Sequence, residues 1–179
     1  MDAGMAGLIG AAVAAISGLG GGALTLLGQS KHLRQQHDRD GERWRDGTRL
    51  DAYSSLLASS KQLSNALWKA ADQLRDAGSS ADDCQTRHEE AHDAWTQFSA
   101  AAAKVSIAGT PAVAEAVDVL RGAMYNWQMV CTAWTKAVLA NDQTDSESFN
   151  RDFEAAAEAK HPADRAFERA ARKTLGMDD

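Results

Sequence analysis

Residues 88–92 read HEEAH. Two histidines four residues apart lie on one face of a helix. With a glutamate between them they can hold zinc while the carboxylate acts as general base, the chemistry of a zinc peptidase. A related pattern occurs twice, as Glu89 with His92 and as Glu158 with His161. E-x-x-H pairs on two helices of a bundle can share a dinuclear metal site, provided the other two helices each add a carboxylate.

The surroundings argue against both chemistries. A zincin-type helix is buried beneath its substrate cleft, where an unpaired charge is costly. Here Arg87, Glu90 and Asp93 crowd the motif and describe a solvated face. Zinc also needs a third protein ligand. Glu115 stands 23 residues after His92, but Pro111 places it at the start of the next helix, far from His88. For the ferritin-like alternative, Asp72 falls near the right level of the first helix. The third helix offers Trp127, Gln128 and Met129 there, with no carboxylate. Glu158 and His161 belong to the row Arg151, Glu154, Glu158, His161, Arg165, Glu168, Arg172, which is charged throughout. The expectation is therefore that His88 sits at the core edge and His92 at its boundary. No catalytic, cofactor-binding or metal-binding residue is assigned. Cys84 and Cys131 lie on apolar stripes without a basic neighbour, so buried, reduced thiols are expected.

The elements that carry these residues are helical. The chain of 179 residues has two prolines, Pro111 and Pro162, abundant alanine and no alternating β-branched runs. The first bundle helix is expected from about Thr48 to Asp76, with Leu50, Tyr53, Leu57, Leu67, Ala71 and Leu74 facing inward. The second starts after Ser80, a hydroxyl able to cap, and closes at Gly109. Its stripe is Cys84, His88, Ala91, Trp95, Phe98, Ala102 and Val105. The third opens with Thr110 as cap and Pro111 in the first turn. Its stripe, Val113, Val117, Leu120, Met124, Trp127, Cys131, Trp134 and Val138, is wholly apolar, which places it most centrally. The fourth spans roughly Ser146 to Leu175, with Phe149, Phe153, Ala156, Ala163, Phe167 and Ala170 on one side. Pro162 should kink or interrupt it near Lys160. Stripes spaced by three and four predict left-handed, coiled-coil-like packing, and the short connections predict antiparallel neighbours. Most of the five tryptophans, Trp44, Trp68, Trp95, Trp127 and Trp134, should be core. Any on an outer face is a candidate partner anchor.

The charge is uneven. Residues 31–49 hold six Lys/Arg against four Asp/Glu, whereas residues 50–179 hold thirteen against twenty. So acidic a body argues against nucleic acid as partner. From Ala3 to Gly28 no residue is charged. As a helix this run is long enough to cross a hydrocarbon core of ~30 Å. Asp2 in place of a basic start, and no clear cleavage site, make it an uncleaved anchor. Lys31, Arg34 and Arg39 follow, so the positive-inside rule puts the short N-terminus outside and the bundle in the cytoplasm. Gly10, Ala14, Gly18 and Gly22 recur every fourth residue and form a small-residue ridge across which two membrane helices can approach closely. Residues 29–47, with Gly41 and Gly47, read as a charged stalk, either a frayed helix or a hinge, since each glycine costs a helix about 1 kcal/mol relative to alanine.

A Gly/Ala-rich apolar start ending in LTLLGQ, then WRDGTRLDAY (Trp44 to Tyr53) and a Leu-rich helix, resembles small actinobacterial membrane-anchored helical proteins of unknown function. The resemblance spans roughly the first 75 residues and implies an anchor but no activity. In similar proteins the middle stretch is more basic and lacks the two glycines. The expected organisation is all-α: a transmembrane anchor at 1–28, a stalk at 29–47 and an antiparallel four-helix bundle at 48–179. The expected function is non-catalytic binding or scaffolding, with an unknown protein or a second copy as partner and the lipid bilayer as support. The rival readings are a bundle metal site of ferritin-like or zincin type through Glu89 and His92, and a membrane-active effector whose N-terminal helix permeabilises a bilayer.

Overall fold

The structure, a computed structural model, describes residues 41–141 and 145–177. It divides into two units, Met1–Arg45 and Asp46–Asp179. The expected anchor and its ridge of Gly10, Ala14, Gly18 and Gly22 lie outside the described residues, as does most of the expected stalk. Of the first unit only 41–45 is described. It is helical, with the Arg45 Nε donating to the Gly41 carbonyl at 3.3 Å. No helix among the described residues is long and apolar enough to cross a membrane.

The described residues form four helices and no strand: α1 over 41–75, α2 at Ala81–Ala108, α3 at Pro111–Leu139 and α4 at Ser146–Thr174. The first is longer than its spacing predicts. Gly47 stands inside α1, in the stretch expected to be a frayed helix or a hinge, and no atom among the described residues lies within 4 Å of the side-chain position of either Gly41 or Gly47. The helix-weakening effect of the exposed Gly47 is outweighed by continuity with the well-packed residues after it, because propagation adds one hydrogen bond for each residue fixed.

The inner face of α1 also departs from expectation. Leu50 and Leu57 are 46% and 37% exposed, whereas Leu56 and Leu63 are fully buried with Tyr53, Leu67 and Ala71. On a helix turning about 100° per residue, Leu50 and Leu57 lie roughly a quarter turn from the centre of the buried row. Serines hide that row in the sequence. Ser59 and Ser60 are buried; the Ser59 hydroxyl bonds a preceding carbonyl, whereas that of Ser60 has no hydrogen-bond partner among the described residues. Ser59 Oγ donates to Leu56 O at 3.0 Å, and Ser64 Oγ to Ser60 O at 2.8 Å.

Helix ends follow local chemistry only in part. Ser80 and Asp83 form a reciprocal capping box at the start of α2, and Asp82 and Asp83 sit in its positive first turn. Thr110 precedes Pro111 as expected but makes no side-chain cap. Its hydroxyl lies 3.2 Å from that of Thr174, so it ties α3 to the end of α4. Gly109 has extended backbone (φ −78°, ψ 172°), not the left-handed form of a usual glycine stop. Closeness explains the residue: a Cβ there would lie 2.8 Å from the Val105 carbonyl oxygen and 3.2 Å from Val113 Cγ1.

Pro162 does not interrupt α4, which runs unbroken from Ser146 to Thr174. The buried Phe153, Ala156 and Ala157 before the proline, and Ala163 and Phe167 after it, are held by the same core. Lys160 and Asp164 also pair at 2.7 Å across it. Packing on both sides thus holds the helix through a missing hydrogen bond.

Ring contacts fix the topology. Tyr53 meets Phe167 and Trp68 meets Phe153, so α1 and α4 are antiparallel. Arg49 Nε donates to Ala108 O, joining the start of α1 in this unit to the end of α2. Trp95 meets Tyr125 across α2 and α3, and Trp127 meets Phe153 across α3 and α4. All four helices fill the core, and on α3 Val113, Val117, Leu120, Met124, Trp127, Cys131 and Trp134 are all buried. The expected stripe of that helix thus faces the core, with Val138 half-buried at its end.

Candidate functional site

The HEEAH segment lies along the outer side of α2. His88 is half-buried and His92 exposed. Burial lowers the proton affinity of His88, with His92 and Lys136 acting in the same direction and Glu89 against them. The acidic residues of the segment are engaged locally. Glu89 accepts from Gln85 Nε2 at 2.8 Å, and Glu90 pairs with Arg87 at 2.8 Å. Glu158 and His161 are exposed on α4, as is every other residue of their charged row. Glu115 is exposed in the first turns of α3. No three His, Cys, Asp or Glu side chains among the described residues come together in a way that could hold a metal ion.

Cys84 and Cys131 are both buried and unbridged. Desolvation, only partly offset by a hydrogen bond to Thr135, pushes the Cys131 thiol up to about 12. Burial raises the Cys84 thiol too, and Asp83 and Asp76 add to the effect. Thiols held protonated in this way are poor nucleophiles.

What the fold does assemble is an aromatic layer that no spacing rule announced. Trp127, Trp134 and Phe153 are buried at its centre, and Trp68 closes it at the surface with 39% of its area exposed. Trp68 stands nearly perpendicular to Trp127 and Phe153, at centroid distances of 6.0 and 5.1 Å. Such edge-to-face pairs gain about 0.5–1.5 kcal/mol beyond area burial. The Arg75 guanidinium lies 5.5 Å from the centre of Trp68 and 5.8 Å from those of Trp134 and Phe153. It also reaches Asp72 at 3.0 Å, Asn150 at 2.8 Å and Glu154 at 3.5 Å. The indole N–H groups of Trp127 and Trp134 are buried without a partner among the described residues.

The tryptophans thus divide otherwise than expected. Only Trp127 and Trp134 are fully buried; Trp95 is half-buried, and Trp44 and Trp68 are exposed. A second cluster lies across α2 and α3, where Trp95 packs 5.7 Å from Tyr125, and Met129 follows one turn later. The sequence holds one signal for it: Tyr125 and Met129 fall outside the apolar stripe of α3, so they had no place in its core.

Comparison with protein families, with curated proteins and with solved structures finds no match for this chain, and its function has to be read from its own geometry.

Proposed function

We propose that this protein acts by binding another polypeptide, without a reaction of its own, and that residues 1–28 hold its bundle at a membrane. The observation that supports binding is the outer face of α2 and α3. Tyr125 and Met129 are 53% and 45% exposed, one turn apart, although α3 already fills the core with another row. Half-buried Trp95 extends the patch onto α2. Aromatic residues and methionine are enriched at the centres of interfaces, where they give large contact area at low entropic cost.

The uncharged run from Ala3 to Gly28 supports the anchor, and the basic residues just after it support a cytoplasmic bundle. Gly10, Ala14, Gly18 and Gly22 support self-association within the bilayer. The acidic bundles would repel one another, so a partner other than a second copy suits the Tyr125 face better. The test is affinity capture of the intact protein from its native membrane, with Tyr125→Ser/Met129→Ser in parallel. The proposal expects a defined partner that is retained by the wild type and lost from the variant. A partner set unchanged by the double substitution would overturn the role of this face.

A further inference from the structure

We propose that the groove between α1 and α4 receives a cationic side chain, lysine or arginine, from a partner polypeptide; this rests on the reading that the protein works by binding one. Ser64 and Trp68 line the groove from α1, Glu154, Glu158 and His161 from α4, and Trp127 from the interior.

The chemistry of the walls selects a cation. The face of an indole carries negative electrostatic potential and attracts ammonium and guanidinium groups within about 6 Å. The aromatic layer already does this for one cation of the protein's own, since Arg75 lies against Trp68, Trp134 and Phe153. That cation is balanced by Asp72 and Glu154. One turn further along α4 stands a second carboxylate, Glu158, which has no ion-pair partner among the described residues. Lys160, the cation that borders the groove, is engaged with Asp164 at 2.7 Å. The groove therefore presents an exposed indole and an unmatched carboxylate, with no free lysine or arginine among the described residues that line it.

Other occupants fit worse. An aliphatic side chain seated here would strip water from Glu158 without pairing it, which is costly. An anionic lipid surface or a second acidic bundle would meet the charge of residues 50–179, thirteen Lys/Arg against twenty Asp/Glu. The same charge favours the approach of a basic segment.

The test uses an acetylated, amidated tetra-arginine peptide as probe, titrated at low salt into the full-length protein while the indole N–H resonances are followed by NMR. Saturable movement of the Trp68 resonance is expected. Glu158→Gln should weaken the apparent affinity about fivefold, the size of one partly solvated cation–carboxylate or cation–π contact. Glu168→Gln makes the same charge change on the same exposed row and should leave affinity within about twofold. Both residues are exposed, so both variants should keep the fold, checked by circular dichroism. An unmoved Trp68 resonance, or equal weakening by the two variants, would overturn the inference. Capture from native membranes separates the two levels. A partner held equally by wild type and Glu158→Gln refutes this groove and leaves binding intact, whereas no partner for the wild type refutes the binding reading itself.

Discussion

Replacing Gly109 by alanine should destabilise the bundle, although its backbone conformation is open to any residue. With φ −78° and ψ 172° the position is extended, and no left-handed strain is involved. The added methyl group would sit 2.8 Å from the Val105 carbonyl oxygen, and 3.2 and 3.3 Å from Val113 Cγ1 and Cβ. Neither neighbour is a flexible tip. The carbonyl belongs to the last turn of α2 and accepts the Gly109 N–H at 2.8 Å, while Val113 is fully buried. Overpacking of this kind costs about 1–3 kcal/mol. The unfolded chain loses freedom on the same substitution, which returns about 0.4–1 kcal/mol. The net loss should be about 1–2 kcal/mol, or a Tm lower by about 2–8 °C for a domain of this size. Gly122→Ala is the matched control. It lies within α3 with nothing inside 4 Å of the new methyl, so it should gain about 0.5–1 kcal/mol. Urea unfolding followed by far-ultraviolet circular dichroism, with unchanged m-values, measures both. A Gly109→Ala protein as stable as the wild type, or a Gly122→Ala protein weakened to the same degree, would refute the reasoning.

Further expectations concern the remaining groups. Cys84 and Cys131 should react with a thiol reagent at pH 8 at least about tenfold more slowly in the folded protein than in urea, because burial raises both thiols; equal rates would contradict their burial. His88 titrates below its ordinary value when folded, so between the folded and unfolded values the unfolded chain binds more protons. Its contribution to stability is thus fully present above the unfolded value of about 6.5 and is lost as the pH falls from there through the lower folded value. His88→Gln should flatten that part of the Tm–pH curve, and an unchanged curve would count against the burial effect. Zinc and iron should stay at background in both the wild type and His88→Ala/His92→Ala, with only a modest change in stability. Stoichiometric metal in the wild type, lost in the variant, would reinstate the HEEAH site. Gly18→Leu/Gly22→Leu should keep the chain in the membrane fraction and abolish self-association in a membrane two-hybrid assay, whereas undiminished association would remove the small-residue ridge from the account.

Much of the architecture was legible because it is local. The stripe from Val113 to Trp134 repeats at helical spacing with no polar interruption, so any fold that buries one of those residues buries them all. The Ser80 cap and the proline opening α3 depend on four or fewer consecutive residues, and both are where the sequence places them. The charged row containing Glu158 and His161 could belong only at the surface, and it is exposed throughout. What the sequence could not decide was every choice made between segments distant in the chain. Leu57 and Leu56 are equally apolar, and only the way α1 turns toward the shared core makes Leu56 the buried one. Thr110 is an ordinary cap by type, yet its hydroxyl faces Thr174, 64 residues away. Pro162 breaks a helix standing alone, but apolar residues on both sides are held by one core. The aromatic layer of Trp68, Trp127, Trp134 and Phe153 with Arg75 draws on three helices. Its rings and its guanidinium become neighbours only when α1, α3 and α4 close on one another, because electrostatic and packing energies depend on distance in space and not on separation along the chain.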